Sequence, residues 1–167
     1  MKYLNKIRFK IFLFLSNLLP RGNFIKVRTY MIKLSGINMG KNVRIAGKFY
    51  ASNNNIHIGN NVWIGYDFNA YFNPTNKITI GNNVDIAPQV TFCCGSHEIG
   101  DEYHRAGKGY SRDIYVGDGC WICIKSIIMG GSNLESGCIV AGNSFVKGNF
   151  KKNILLGGNP ASLIKVI

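Results

Sequence analysis

An apolar residue recurs at every sixth position along most of this chain. A long run begins at Val116, another begins at Ile80, and shorter runs lie upstream. A period of six fits neither an α-helix, which has about 3.6 residues per turn, nor an alternating strand. It fits a solenoid with three short flat sides per coil, about 18 residues around, whose interior the recurring side chains fill. The recurring positions are Met39, Ile45, Ile58, Ile64, Ala70, Ile80, Ile86, Phe92, Val116, Ile122, Ile128, Leu134, Val140 and Val146.

The cysteines follow the same register. The residue after each recurring position is usually small or turn-forming, as at Gly59 and Gly81, and Cys123 occupies such a position. Cys120 and Cys138 occupy a second restricted position, four residues after a recurring one. Cys120 and Cys123 also form a C-x-x-C motif, which is typical of zinc and redox sites. Because the repeat accounts for all three cysteines, we favour packing as their interpretation.

The register breaks between Phe92 and Val116. The intervening residues, 93–115, read CCGSHEIGDEYHRAGKGYSRDIY and are polar, charged and rich in glycine. Such a segment does not form a coil of the solenoid, and we predict a long irregular loop. Long loops in compact folds usually carry function, so His97 within this loop is the first candidate site residue.

Composition restricts the partners that the chain could bind. Its 167 residues suit one domain, and 20 basic against 8 acidic residues leave a net charge of +12. This balance predicts an anionic partner: nucleic acid, a membrane surface or a phosphate-bearing small molecule. Nucleic acid is the least favoured, because the sequence shows no nucleic-acid-binding motif and its basic residues concentrate near the two ends. Five cysteines without framework spacing indicate a reducing compartment.

Four short motifs accompany the register: GSH at 95–97, DGCW at 118–121, AGNS at 141–144 and GNPA at 158–161. With these motifs, the chain from Gly36 to Ile167 resembles the hexapeptide-repeat acetyltransferases, the group of galactoside, maltose and polysaccharide O-acetyltransferases. The resemblance implies an all-β, left-handed parallel β-helix over residues 36–167, interrupted by a loop at 93–115 and ended by a short closing segment. Residues 1–35 form a separate N-terminal helical segment. Left-handedness comes from the resemblance alone, since ordinary crossovers are right-handed.

The resemblance also implies the chemistry. Acetyl-coenzyme A is the expected co-substrate, a carbohydrate the expected acceptor, and no metal is required. His97 is the expected general base, because an imidazole with a pKa near ~6.5 can take a proton from a sugar hydroxyl as the hydroxyl attacks a thioester. A direct transfer of this kind needs no nucleophilic thiol. A covalent role for Cys93 or Cys94 is therefore the less favoured alternative.

The remaining candidate residues are carried over from the resemblance. Asn69 is expected to contact the acceptor, although an asparagine could instead serve a left-handed corner, and Asp67 is expected to tune acceptor choice. Trp121 is expected either along the pantetheine arm of coenzyme A or in buried packing. A serine at Ser162 stands where relatives carry an arginine, which weakens phosphate binding there. The expected coenzyme A contacts are Trp121, Ile124, Gly142, Lys147, Gly148 and Lys165.

The first 35 residues differ from the rest. An apolar stripe at helical spacing (Leu4, Ile7, Ile11, Phe14, Leu15 and Leu18) predicts a helix that Pro20 ends, with Phe9 and Leu13 on its more polar side. A second helix is predicted from about Phe24 to Leu34. Basic residues interrupt the apolar run, which argues against a membrane span, and the segment lacks a good signal-peptide cleavage site. An interfacial membrane helix and packing against the β-helix or a neighbouring subunit stay open.

Together these features predict a coenzyme A-dependent O-acetyltransferase of surface polysaccharide assembly. The resemblance implies a homotrimer, in which His97 of one subunit faces coenzyme A contacts of the next. We expect a cytoplasmic location, with peripheral membrane contact as a further option. The acceptor could then be lipid-linked. Alternatives are an N-acetyltransferase on an amino sugar or amino acid, a non-catalytic scaffold, and a γ-carbonic-anhydrase-like zinc enzyme that would use His57, His97 and His104.

Overall fold

A computed structural model describes residues 2–167 as two helices followed by a parallel β-solenoid of about six coils. The helices are α1 (Lys2–Leu18) and α2 (Ile25–Leu34). The first sheet of the solenoid contains β1 (Asn38–Met39), β4 (Ile56–Ile58), β7 (Ile78–Ile80), β12 (Ile114–Val116), β15 (Asn133–Leu134) and β18 (Asn149–Phe150).

Two further sheets complete the triangular cross-section. The second sheet contains β2 (Arg44–Ile45), β5 (Trp63–Ile64), β8 (Asp85–Ile86), β13 (Trp121–Ile122), β16 (Ile139–Val140), β19 (Ile154–Gly158) and β20 (Ala161–Val166). The third sheet contains β3 (Phe49–Ala51), β6 (Phe68–Tyr71), β9 (Thr91–Cys93), β14 (Ile127–Met129) and β17 (Phe145–Val146). The strands pair in parallel from coil to coil, except that β20 folds back antiparallel on β19.

The predicted register is confirmed in the core. Each of the recurring apolar residues is less than a tenth exposed. Within the third sheet, the rings of Phe49 and Phe68 stack with centroids 5.0 Å apart, and the ring of Phe92 in the next coil meets Phe68 edge to face at 5.2 Å. Aromatic pairs in such geometry add about 0.5–1.5 kcal/mol beyond the burial of their area.

The corner between the first and second sheets is held by asparagine side chains. Asn42 donates to Asn61 at 3.0 Å, and Asn61 donates to Asn83 at 3.1 Å. All three adopt a left-handed backbone with φ near 55°, which asparagine tolerates better than most residues. The ladder stabilises the turns because each amide satisfies the one in the next coil.

The cysteines of the register pack as expected. The thiols of Cys120 and Cys138 are buried and donate to the carbonyl oxygens of Glu135 and Lys151. Burial raises the pKa of Cys120 to about 11, so its thiol stays protonated at neutral pH. Cys123 is half-buried, and burial raises its pKa as well. A protonated thiol is a poor metal ligand and a poor nucleophile, which supports packing over the C-x-x-C alternative.

The segment predicted as an irregular loop contains regular structure. Residues 95–111 form an antiparallel hairpin of β10 (Gly95–Ile99) and β11 (Ala106–Ser111). It leaves the solenoid at the corner between the third and first sheets, which we call the hairpin corner. The prediction of an irregular loop is wrong in this respect, because backbone pairing satisfies groups that would otherwise depend on water. The hairpin still lies outside the coils.

The two helices cover the N-terminal edge of the solenoid. α1 contacts β3 and α2 contacts β2, the edge strands of their sheets. The buried side chain of α1 nearest the core is Phe9, and Leu13 packs beside it. The sequence predicts these two residues on the more polar side of the helix, yet they pack inward. The residues of the predicted apolar stripe are exposed. No helix in the described part of the chain is both long and apolar enough to cross a membrane.

A buried arginine closes the turn between the helices. The guanidinium of Arg28 is fully buried and donates to the backbone oxygens of Leu19, Pro20, Asn23 and Ala46. These bonds join the turn after α1 to the start of α2 and to the first coil, and they give partners to carbonyl groups that lie outside the helices and strands. α2 begins at Ile25 rather than Phe24, because Phe24 has a φ of 56°.

Candidate active site

The hairpin holds His97 with one ring nitrogen already occupied. His97 lies in β10, opposite Gly109 of β11, and its ring is exposed. Its Nδ1 lies 2.9 Å from the carbonyl oxygen of Gly107. A carbonyl oxygen only accepts, so Nδ1 carries the proton in neutral imidazole. Nε2 is therefore left with a free lone pair, which is the form that a general base requires.

A polar groove of about 510 Å³ surrounds this histidine. A smaller groove of about 280 Å³, which reaches Ser52 and Tyr71, shares Asn73, Cys93 and Gly95 with it. Such a lining of hydroxyl, amide and backbone groups matches a polar ligand better than an apolar one. The side chains and backbone that line the first groove belong to Asn73, Cys93, Gly95, Ser96, His97, Gly109, Tyr110 and Ser111.

Tyr110 lies across the hairpin from Ser96 and was not foreseen from the sequence. A hydrogen bond with Ser96 lowers the pKa of the Tyr110 hydroxyl, and Lys147 acts in the same direction. Lys147 therefore lies beside the His97 groove within a single chain. The guanidinium of Arg112 stacks 5.4 Å from the centre of the Tyr110 ring. This side of the groove is accordingly positive and could face an anionic group.

Asn69 presents its amide on the third sheet in a fixed orientation. Its Nδ2 donates to the backbone oxygen of Asp67 at 2.8 Å, and its Oδ1 accepts from the Tyr71 hydroxyl at 3.3 Å. One N–H and one lone pair remain for a ligand. Asn69 lies within β6, so the alternative interpretation of Asn69 as a left-handed corner residue is wrong. The left-handed residue at this corner is Asp67, with a φ of 58°.

The Asp67 carboxylate is paired with a residue from the N-terminal segment. Arg21, in the turn between the two helices, lies 2.9 Å from it. Arg28 fixes this turn, so the helical segment reaches the residues that hold Asn69. The sequence does not predict this salt bridge, because nothing in the spacing of residues 21 and 67 indicates that they are in contact.

The expected coenzyme A contacts fall into three places. Trp121, Ile124 and Gly142 meet where the second sheet turns into the third, which we call the Trp121 corner. Trp121 is 51% exposed, so buried packing within the chain is wrong as its interpretation. A Cβ at Gly142 would lie 3.3 Å from the Ile124 backbone oxygen, which is closer than side-chain carbons usually approach, so the notch beside Ile124 depends on the glycine.

The other three contacts lie apart from that corner. Lys147 and Gly148 follow β17 at the hairpin corner, and Gly148 has a φ of 124°, which glycine adopts readily. Lys165 is exposed on β20, opposite Leu155.

The histidines do not converge on one point. His57 lies in β4 and His104 in the turn of the hairpin. His57 is half-buried, its Nδ1 has no hydrogen-bond partner among the residues that the structure describes, and burial lowers its pKa. Across residues 2–167, no three His, Cys, Asp or Glu side chains form a group that could hold a metal ion.

Comparison with known proteins identifies the family. No family model matches the sequence. The solved structure of a galactoside acetyltransferase in complex with coenzyme A superposes with a TM-score of 0.83 and 26% identity, over 97% of this chain and 80% of that one. The galactoside O-acetyltransferase of Escherichia coli K12 is 30% identical over 144 residues, which span 86% of this chain and 70% of the relative. The chain belongs to the hexapeptide-repeat acetyltransferases.

A second relative of this acetyltransferase has a name that refers to polysaccharide synthesis. The putative colanic acid biosynthesis acetyltransferase WcaF of Escherichia coli K12 is 27% identical over 139 residues, 83% of this chain and 74% of the relative. The predicted fold class and the assignment as an acetyltransferase are confirmed.

Three residues that lie beside the candidate site residues were not predicted from the sequence. Tyr71 follows Asn69 by two positions in a strand and therefore shares its face, so alternation alone could have identified it. Tyr110 and Arg21 had no such signal, because their partners lie far away in sequence.

Proposed function

We propose that this acetyltransferase transfers the acetyl group of acetyl-coenzyme A to a hydroxyl group of a carbohydrate, with His97 as the general base. The observation that carries the proposal is the hydrogen bond from His97 Nδ1 to Gly107, which leaves Nε2 unprotonated within a polar groove. The family assignment supplies the acetyl donor.

The transfer needs no covalent intermediate. Nε2 of His97 takes the hydroxyl proton as the oxygen attacks the thioester carbonyl carbon. The carbon–sulfur bond then breaks, and the imidazolium returns the proton to the departing thiolate. Burial raises the pKa of Cys94 to about 12, which removes it as a nucleophile at neutral pH.

Asn69 and its neighbours suit a carbohydrate acceptor. The free N–H and lone pair of its amide can bind one hydroxyl as both donor and acceptor. The Tyr71 hydroxyl lies beside that amide, and the groove continues from Tyr71 to His97. A row of such groups matches the spaced hydroxyls of a sugar.

The donor site requires a second subunit. The Trp121 corner and the hairpin corner lie at opposite ends of the third-sheet strands, so these strands separate Trp121 from His97 within one chain. A trimer with three-fold symmetry places His97 of one subunit against Trp121, Ile124 and Gly142 of the next. In this arrangement the acetyl group lies between the two.

The phosphates of coenzyme A would meet lysine side chains. Lys147, beside Gly148, and Lys165 are both exposed and carry no acidic partner among the described residues. Lysine binds phosphate as a flexible point charge. Ser162 carries no charge, so Lys165 on the same strand is the residue that would bind phosphate there.

We place the activity in surface polysaccharide synthesis at the cytoplasmic side of the membrane. The similarity to WcaF supports the pathway class, and five free cysteines suit a reducing compartment.

Acetyl transfer to a panel of sugars, amino sugars and nucleotide-linked sugars tests the proposal. We expect His97→Ala to reduce kcat by roughly 10²–10⁴-fold, since a general base contributes about that much, while the Kd for coenzyme A changes no more than a few-fold. His104→Ala is the matched control, because this exposed histidine lies on the same hairpin and should leave kcat unchanged. Sensitivity of the product to hydroxylamine distinguishes an ester from an amide. Unchanged turnover in His97→Ala would contradict the mechanism.

A further inference from the structure

The apolar stripe of α1 is exposed along the length of the helix. Its side chains are between 39% and 71% exposed, even though the opposite face of the helix packs on the solenoid. The stripe residues are Leu4, Ile7, Ile11, Phe14, Leu15 and Leu18. A contiguous apolar surface of this size on a polar protein marks an interaction site.

Basic side chains border this stripe on both sides. At about 3.6 residues per turn, Arg8 falls beside Leu15 at one edge, and Lys10 falls beside Phe14 at the other. Both basic residues are exposed. An apolar face flanked by basic residues is the arrangement by which helices lie in the interface of anionic bilayers.

The charge distribution of the chain points to the same occupant. All eight acidic residues lie at or after Asp67, whereas eleven of the 20 basic residues precede it. The helical segment and the first coils therefore form the positive end of the molecule. A protein partner would need a matching acidic surface, whereas a bilayer with anionic lipids offers both an acyl region for the stripe and negative headgroups for its borders.

A line of grooves connects this helix with His97. Lys6 and Lys10 line a groove of about 470 Å³ between α1 and the first coil, and Ser52 belongs both to it and to the groove at Tyr71. The Tyr71 groove in turn shares Asn73 with the groove of His97. A saccharide joined to lipid through phosphate could therefore lie with the phosphate near the two lysines and its sugars toward His97.

We propose that the stripe docks α1 on an anionic membrane and that the connected grooves receive a lipid-linked saccharide from that surface. The docking stands on the exposure, charge and position of α1, whereas the role of the saccharide rests on the proposed acetyl transfer.

Sedimentation with vesicles tests the docking without any enzymatic readout. We expect the full-length protein to bind vesicles of phosphatidylcholine and phosphatidylglycerol in a two-to-one ratio, to bind pure phosphatidylcholine much more weakly, and to be released by added salt. The double variant Ile11→Ser/Phe14→Ser should lower the binding constant at least tenfold, because apolar burial drives insertion. Replacing Lys6 and Lys10 by glutamine should weaken it by roughly fivefold for each charge.

The control changes residues of similar exposure at the other end of the solenoid. Leu163→Ser/Val166→Ser removes two exposed apolar side chains from β20 and should leave vesicle binding unchanged. Equal binding by the wild type and the Ile11→Ser/Phe14→Ser variant would overturn the proposal, as would an absence of wild-type binding to the anionic vesicles. A change in subunit number in that variant, measured by light scattering, would show that the stripe is a subunit contact instead.

Failure of the docking can be told apart from failure of the acetyl transfer. The Ile11→Ser/Phe14→Ser variant should acetylate the best soluble sugar of the panel at the wild-type rate, because no residue of the stripe lines the grooves that lead to His97. If the wild type acetylates no sugar but sediments with anionic vesicles, the proposed function is wrong and the docking stands. If the wild type acetylates sugars but does not sediment with anionic vesicles, the docking is wrong and the proposed function stands.

Discussion

At the residue scale, the candidate site is made of groups that are each restrained by one neighbour and left free at another atom. Gly107 holds Nδ1 of His97 and leaves Nε2 free. Asp67 and Tyr71 hold the Asn69 amide and leave one donor and one acceptor position. Such restraint lowers the entropy cost of binding, because the side chain is already oriented before the ligand arrives.

The Arg21–Asp67 pair should affect acceptor binding selectively. Arg21→Gln frees the Asp67 carboxylate and loosens the backbone turn that holds Asn69, so we expect the acceptor KM to rise several-fold while the acetyl-coenzyme A KM stays constant. Stability should change by no more than about 1 kcal/mol, because the pair is partly exposed. Lys33→Gln, an exposed basic residue of α2, serves as the control. A parallel rise in both KM values would argue against this selective role.

At the element scale, the helices are attached to the solenoid through backbone groups of an edge strand. The Asn17 amide donates to the Phe49 carbonyl oxygen at 3.0 Å and accepts from the Phe49 N–H at 2.9 Å. Phe49 lies in β3, whose outer edge would otherwise have no strand partner. α1 thus protects an edge that could pair with another chain.

Loss of the Asn17 amide should detach this edge. We expect Asn17→Ala to lower the free energy of unfolding by about 1–3 kcal/mol, since two partly buried backbone groups of Phe49 lose their partner. Denaturant unfolding of the variant measures this, with Asn5→Ala in the exposed part of the same helix as the comparison. An effect no larger than that of Asn5→Ala would show that water replaces the amide without cost.

At the scale of the whole molecule, the three-sided solenoid keeps its chemistry at two corners. The hairpin with His97 follows the C-terminal ends of the third-sheet strands and the Trp121 corner precedes their N-terminal ends, and the strands between them pair from coil to coil. A second subunit can close this distance, whereas a movement within the chain would have to break the sheet.

Mixed trimers provide a test of that arrangement. We expect His97→Ala and Gly142→Phe each to be inactive alone, the first lacking the base and the second blocking the donor notch. Random mixing of the two variants by co-refolding should restore about a quarter of the sites. A functional site needs His97 from one chain and Gly142 from its neighbour, and each position receives the required chain about half of the time. Acetyl transfer by the mixture is the measurement. No recovered activity in trimers verified to contain both subunits would place the site within a single chain.

The sequence was sufficient for the repeat and for its core. A six-residue apolar period buries one side chain per side of each coil, so periodicity alone located the interior and explained the cysteines at Cys120 and Cys138. Family motifs added the candidate residues and the hand of the β-helix. The repeat and its core depend on local spacing, which a sequence displays directly.

Other features depended on which surfaces meet in three dimensions. The hairpin pairing that selects the His97 tautomer joins residues ten apart, and Arg21 meets Asp67 across the helix turn and the first coils. α1 is apolar on more than one face, so the sequence could not decide which face packs inward. Phe9 and Leu13 pack inward and the stripe stays exposed, because these two residues share a helix face with Asn17, whose amide bonds the backbone of Phe49.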